Sequence, residues 1–208
     1  MIRAILFDAD GVLQHPSDDL EARLQSALGF VPEPLAAFLA EVFEAEGPAL
    51  GGQVDFVAEL GPVLEKWGAA GFGESLAACW SSIAADEAIL ALIARLRRAG
   101  YVCALTTNQQ RHRAAHMANV LGYGQKFDHS FYSCELGYAK PDANYFRAVI
   151  RALPFEPQEL LFIDDRRDNV STAAALGINA VRFVHDKSAM AVTALERVLA
   201  RFGVQVPP

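Results

Sequence analysis

Five apolar runs that do not alternate with polar residues stand at residues 2–7, 101–105, 127–133, 160–163 and 179–184. Unbroken runs of this length suit strands buried on both faces. Between them, apolar residues recur at helical spacing over 87–98, 111–121, 142–153, 169–176 and 188–201. Strand–helix alternation predicts a parallel sheet with helices on both sides, an α/β fold.

From Ser17 to about Ala85 the texture is helical throughout, without a convincing strand. Leu20, Leu24 and Leu28 repeat every four residues behind Ser17-Asp18-Asp19, a helix start. A second helix is predicted over 33–46, with Leu35, Phe38, Leu39, Val42 and Phe43 on its apolar side and Gly47-Pro48 as its stop. Gly51-Gly52 makes a flexible joint, and two more helices are expected over 54–67 and 73–84. The expected organisation is an α/β core of residues 1–15 and 85–208, interrupted after its first strand by a helical insert, 16–84. The insert departs beside Asp8 and Asp10, placed to cover whatever they do.

Composition narrows the function classes. A formal net charge of -7 over 208 residues argues against a general nucleic-acid or anionic-membrane surface. One local cationic pocket can still take a small phosphorylated molecule. No stretch approaches the ~18 apolar residues of a membrane helix, and the run before Asp8 is too short for a signal peptide. Cys79, Cys103 and Cys134 are an odd count without metal-ligand spacing. They are expected as reduced, buried thiols in a cytoplasmic protein.

The chemistry lies where the apolar runs end. Ala4-Ile5-Leu6-Phe7 ends in Asp8 and then Asp10, Val102-Cys103-Ala104-Leu105 in Thr106-Thr107-Asn108, and Leu160-Leu161-Phe162-Ile163 in Asp164-Asp165. In open parallel sheets ligands bind at the carboxyl ends of strands, so these ends make one composite site. Four carboxyl groups at the edge of an apolar sheet would repel one another and protonate unless a cation joined them. A hard divalent ion such as Mg2+ suits a few carboxylates plus a substrate phosphate, and Lys140 offers a second positive charge. Taken singly, Asp-x-Asp-Gly reads as a turn, Thr107-Asn108 as a helix start and Lys140 as a solvated lysine. Their order and shared address at strand ends lift the combination above its members.

In order along the chain, Asp8-Ala9-Asp10-Gly11-Val12, Thr107, Lys140-Pro141, and Asp164-Asp165 with Asn169 resemble the four motifs of the haloacid dehalogenase superfamily. The resemblance implies a Rossmann-like core with an inserted helical cap of the first type. It implies that Asp8 is a nucleophile that forms an aspartyl-phosphate, with Asp10 as general acid and then base. Mg2+ would be held by Asp8, the Asp10 carbonyl and Asp165, with Asp164 and Asn169 in support. Ala9, Asp10, Thr107, Asn108 and Lys140 would hold the phosphate of a small metabolite. Dehalogenases of the superfamily lack the second acid and the acidic fourth motif, so Asp10 and Asp165 disfavour that chemistry. Sugar phosphomutases carry an Asp-Thr pair where this chain has His15-Pro16. A binding or regulatory protein without turnover is the alternative from another class.

Specificity is less legible. Gln14 and His15 stand at the exit to the insert, as leaving-group contacts or as hinge residues. Gly51-Gly52 either faces the site or only joins two helices. Trp67 and Trp80 are expected in the core of the insert. The clusters Arg95-Arg97-Arg98 and Arg111-His112-Arg113 are expected as solvated helix faces. A monomer or small homo-oligomer is expected.

Overall fold

The computed structural model describes residues 1–17, 19–188 and 190–206. Asp18 of the expected first helix start, Ala189 of the expected 188–201 helix, and Pro207 and Pro208 lie outside the described residues. In chain order, β1 (Ala4–Phe7) and β2 (Gln14–Pro16) precede α1 (Leu20–Leu28), α2 (Leu35–Ala49), α3 (Phe56–Lys66) and α4 (Gly73–Trp80). Then come β3 (Ile83–Ala85), α5 (Glu87–Arg98), β4 (Val102–Thr107), and α6 (Arg111–Ala115), which runs on as a π-helical turn over His116–Val120. They are followed by α7 (Tyr123–Lys126), β5 (His129–Tyr132), α8 (Ser133–Leu136) and α9 (Ala143–Ala152). A 3-10 turn (Pro157–Glu159) leads into β6 (Leu160–Asp164), α10 (Arg167–Ala175), β7 (Asn179–Arg182) and α11 (Ala191–Arg201).

The main sheet is parallel with order β5-β4-β1-β6-β7. Side chains of β1 alternate between two cores, as strand geometry requires. Ile5 and Phe7 pack with Ile93, Leu105, Ile163 and Leu195 on one face. Ala4 and Leu6 pack with Tyr145, Phe146 and Phe162 on the other. Strand order reverses at β1, so a crevice opens at the carboxyl ends of β4, β1 and β6, where the polar strand ends converge.

Helices α1 to α4 enclose a cluster of their own, including Leu24, Phe38, Val42, Leu60, Leu64 and Leu76. Trp67 and Trp80 pack against it, as expected. Asp19 caps α1 by accepting from the Ala22 N–H at 3.3 Å.

Two expectations for this region are corrected. The helix expected over 73–84 stops at Trp80, and Ile83–Ala85 forms a strand antiparallel to β2, with His15 opposite Ala84. A local window cannot see this, because the strand's partner lies at the far side of the insert. The second helix runs through Gly47-Pro48 to Ala49. Pro48 lies on the exposed side of the last turn, where a proline forfeits a single helix hydrogen bond.

The Gly51-Gly52 joint docks on α8. Gly52 has φ +70°, and a Cβ there would overlap the Cys134 carbonyl. Arg111 Nη2 donates to the Gly52 carbonyl at 3.0 Å, and His112 Nε2 lies 3.5 Å from Asp55. Gly52→Ala is therefore expected to lift this joint from the core, costing about 1–2 kcal/mol for the left-handed backbone alone. Cys134, whose backbone the joint contacts and whose side chain is buried, should react with a thiol reagent about tenfold faster, mapped by mass spectrometry. An unchanged rate would show that this contact does not hold the two parts together.

Candidate active site

Asp8 follows β1 and is only 6% exposed. Lys140 Nζ lies 2.8 Å from Asp8 Oδ1 and 2.7 Å from Asp164 Oδ2, and donates to the Thr106 carbonyl at 2.8 Å. Three acceptors match the three protons of an ammonium. The lysine expected as a second positive charge is thus a buried bridge between three strand ends. Asn108 clamps its peptide: Lys140 N–H donates to Asn108 Oδ1 at 2.8 Å, and Asn108 Nδ2 donates to the Lys140 carbonyl at 2.7 Å.

Asp164 is fully buried and accepts from Asn169 Nδ2 at 3.0 Å on both oxygens and from the Arg166 N–H at 2.8 Å. Asn169 sits in the first turn of α10, which aims it at the strand end. Burial pushes the Asp8 carboxyl up to about 7, against the pull of Lys140 and with the push of Asp164. Burial would lower Lys140, but Asp8 and Asp164 together hold it above the usual lysine value. Asp165 is raised too, by burial and then by Asp164.

Side-chain oxygens of Asp8, Asp164 and Asp165 all lie within 4.8 Å of one another. One ammonium does not balance this charge, and an all-oxygen donor set fits a hard dication. Gly11 leaves the room: at φ +76°, a Cβ there would stand 2.8 Å from Asp165 Oδ2. The residues therefore fit Mg2+. Asp8 and Asp165 of the expected ligand set are in this cluster, and Asp164 joins them. The Asp10 side chain is turned elsewhere.

Asp10 Oδ1 accepts from Gln14 Nε2 at 3.0 Å and from Arg113 Nη2 at 2.9 Å, while Oδ2 accepts from Gln109 Nε2 at 2.8 Å. Gln109 also donates to Thr107 Oγ1 at 3.0 Å, leaving the threonine's own proton for another acceptor. Gln109 itself is anchored through its backbone N–H to Ser133 Oγ at 2.9 Å. Gln14, at the exit to the insert, is completely buried.

The solvated face expected for Arg111-His112-Arg113 is corrected here. Arg113 is 12% exposed at its side chain and points inward at Asp10. Gln109 and Arg113 are functional residues that the sequence reading misses: Gln109 lies before the N-cap Gln110 of α6, and Arg113 is within the helix, so no single helical face joins them. His15 Nε2 meets His185 Nδ1 at 2.8 Å, and His185 Nε2 reaches Asp86 at 2.6 Å.

Above these groups lies a cavity of about 400 Å³. Asp8, Asp10, Thr107, Lys140 and Asp165 form its floor, and Phe43, Glu46 and Leu50 of the α2 region face them. Phe43, expected on the apolar side of its helix, is 59% exposed.

The haloacid dehalogenase-like hydrolase family matches residues 2–177, and the chain belongs to that family. Phosphoglycolate phosphatase 1 of Pseudomonas aeruginosa is 25% identical over 88% of this chain and 70% of its own length. Bifunctional epoxide hydrolase 2 of Rattus norvegicus is 27% identical over 99% of this chain, which spans only 40% of that protein. Among solved structures, the HAD family enzyme bt-2542 of Bacteroides thetaiotaomicron superposes with a TM-score of 0.77. It is 22% identical, covering 92% of this chain and 98% of its own, and has also been crystallised with magnesium and inorganic phosphate. Dehalogenase structures share the fold as well, so the fold alone does not choose the reaction.

Proposed function

We propose that this hydrolase is a magnesium-dependent phosphatase that cleaves a small-molecule phosphate monoester through an aspartyl-phosphate on Asp8, with residues 16–84 acting as its cap. The observation that carries the reading is the buried Asp8–Lys140–Asp164 bridge, with Asp165 beside it and Asp10 at the edge of the same cavity. The phosphatase and the magnesium–phosphate complex among the relatives support it.

Lys140 holds Asp8 by Oδ1 and so fixes the carboxylate that attacks phosphorus. The Asp8–phosphorus bond forms as the bond to the leaving oxygen breaks. Asp10 must first take up a proton in place of its bond from Arg113 or Gln109. It gives that proton to the leaving oxygen, and the carboxylate so formed takes one from the water that later attacks phosphorus as the Asp8–phosphorus bond breaks. The Thr107 hydroxyl, the Lys140 ammonium and the backbone N–H groups of Ala9 and Asn108 stabilise the equatorial phosphoryl oxygens. Asp8, Asp165 and the Asp10 carbonyl, with Asp164, Asn169 and Lys140 ordering them, would hold Mg2+, which supplies further positive charge at those oxygens. A dehalogenase would leave Asp10 and Asp165 without a task.

Phosphate release from p-nitrophenyl phosphate is expected with magnesium and not with a chelator. The magnesium concentration for half activation should fall as pH rises towards about 7, then level off. The sign follows from Asp8: its proton, retained up to about 7 by burial, must leave before the carboxylate binds a cation. Metal-independent release, or half activation that does not change with pH, would contradict the reading.

A further inference from the structure

Glu46 belongs to none of the machinery above, yet it is 8% exposed and faces the cavity over Asp8. Its Oε1 accepts from Trp80 Nε1 at 3.0 Å, and among the described residues it has no ion-pair partner. Arg113, the cation whose field reaches it, is already paired with Asp10. A buried carboxylate with one committed oxygen and only a shared, more distant cation is costly, so such a group calls for a specific explanation. Burial also pushes its carboxyl above the usual range.

Its neighbours indicate what it would bind. Phe43 lines the same cavity one helical turn earlier, its ring edge-on to Trp80 at 5.0 Å between centroids. Leu50 follows one turn later. An acceptor set between apolar surfaces suits a carbon skeleton bearing hydroxyl donors. The same carboxylate would repel a second anionic group once the phosphate sits on Asp8 and Lys140.

We infer that Glu46 selects the leaving alcohol, accepting a hydrogen bond from a hydroxyl of a polyol- or sugar-like group and rejecting esters of hydroxy acids. This rests on the phosphatase reading and gives it a substrate class. It sets the chain apart from what the names of its phosphoglycolate phosphatase relatives would suggest.

The test compares kcat/KM for glycerol 3-phosphate and glucose 6-phosphate with that for phosphoglycolate, in the wild type and in Glu46→Gln. The amide keeps an acceptor for Trp80, so the variant should fold. At least one hydroxylated ester is expected to exceed phosphoglycolate by about tenfold or more, and Glu46→Gln should shrink that ratio by a similar factor, the usual scale for a charged hydrogen bond. Phosphoglycolate as the best substrate, or a ratio that Glu46→Gln leaves unchanged, would overturn the inference.

Binding of the same three esters to folded Asp8→Asn protein, read by tryptophan fluorescence, separates the two claims. Selective binding in that protein with no turnover in the wild type would sink the phosphatase and keep the subsite. Turnover that depends on Asp8, with equal binding of all three esters, would do the reverse.

Discussion

Asp8→Asn is expected to keep the fold and to lose at least about a thousandfold of magnesium-dependent phosphate release, the scale on which enzymes respond to removal of a nucleophile. The amide has the shape of the carboxylate but neither its charge nor its nucleophilicity. The fold should persist, because Lys140 keeps Asp164 and the Thr106 carbonyl as partners. Loss of Asp8 also removes a carboxyl that burial and Asp164 push towards protonation. Steady-state rates beside a thermal melt make the measurement. A folded variant within tenfold of the wild type would show that Asp8 is not the nucleophile.

Lys140→Ala is expected to damage the structure itself. Among the described residues the ammonium is the one group bonded to both Asp8 and Asp164, and its side chain is 1% exposed. Removing one partner of a buried ion pair costs about 3–5 kcal/mol, a large share of the roughly 5–15 kcal/mol that stabilises a domain. The deficit should grow with pH. Without Lys140 the pull that opposes burial at Asp8 is gone, so the folded state holds a proton that the unfolded chain releases near its ordinary value. Stability of the variant then falls as pH rises through that interval. Urea denaturation at about pH 5 and about pH 8 reads both effects. A loss below about 1 kcal/mol at the higher pH would mean that water, not Lys140, balances the two aspartates.

Much of the site is legible because it rests on short-range rules. Asp8, Thr107 and Asp164-Asp165 each end an apolar run, and a parallel sheet brings such ends together. Asn169 and Asp164 are close in sequence, and their contact follows from a strand turning into a helix. The motif places Lys140, but its role as a bridge between three strand ends needed the structure. The same limit applies to Asn108, whose side chain closes a two-bond clamp on the Lys140 peptide.

Periodicity and motif order along the chain thus determined the α/β core, the helical insert and the set of groups at the strand ends. These depend on patterns that repeat within a few residues or on a fixed register of the sheet. Tertiary structure decided the rest. It paired Pro16 with Ile83 across the whole insert, turned Arg113 and Gln109 onto Asp10, and swung Phe43 and Glu46 over the cavity. Helical spacing shows which side of α2 is apolar, but residues at the edge of that side take their orientation from the body the helix packs against. That body is assembled only when distant segments of the chain meet.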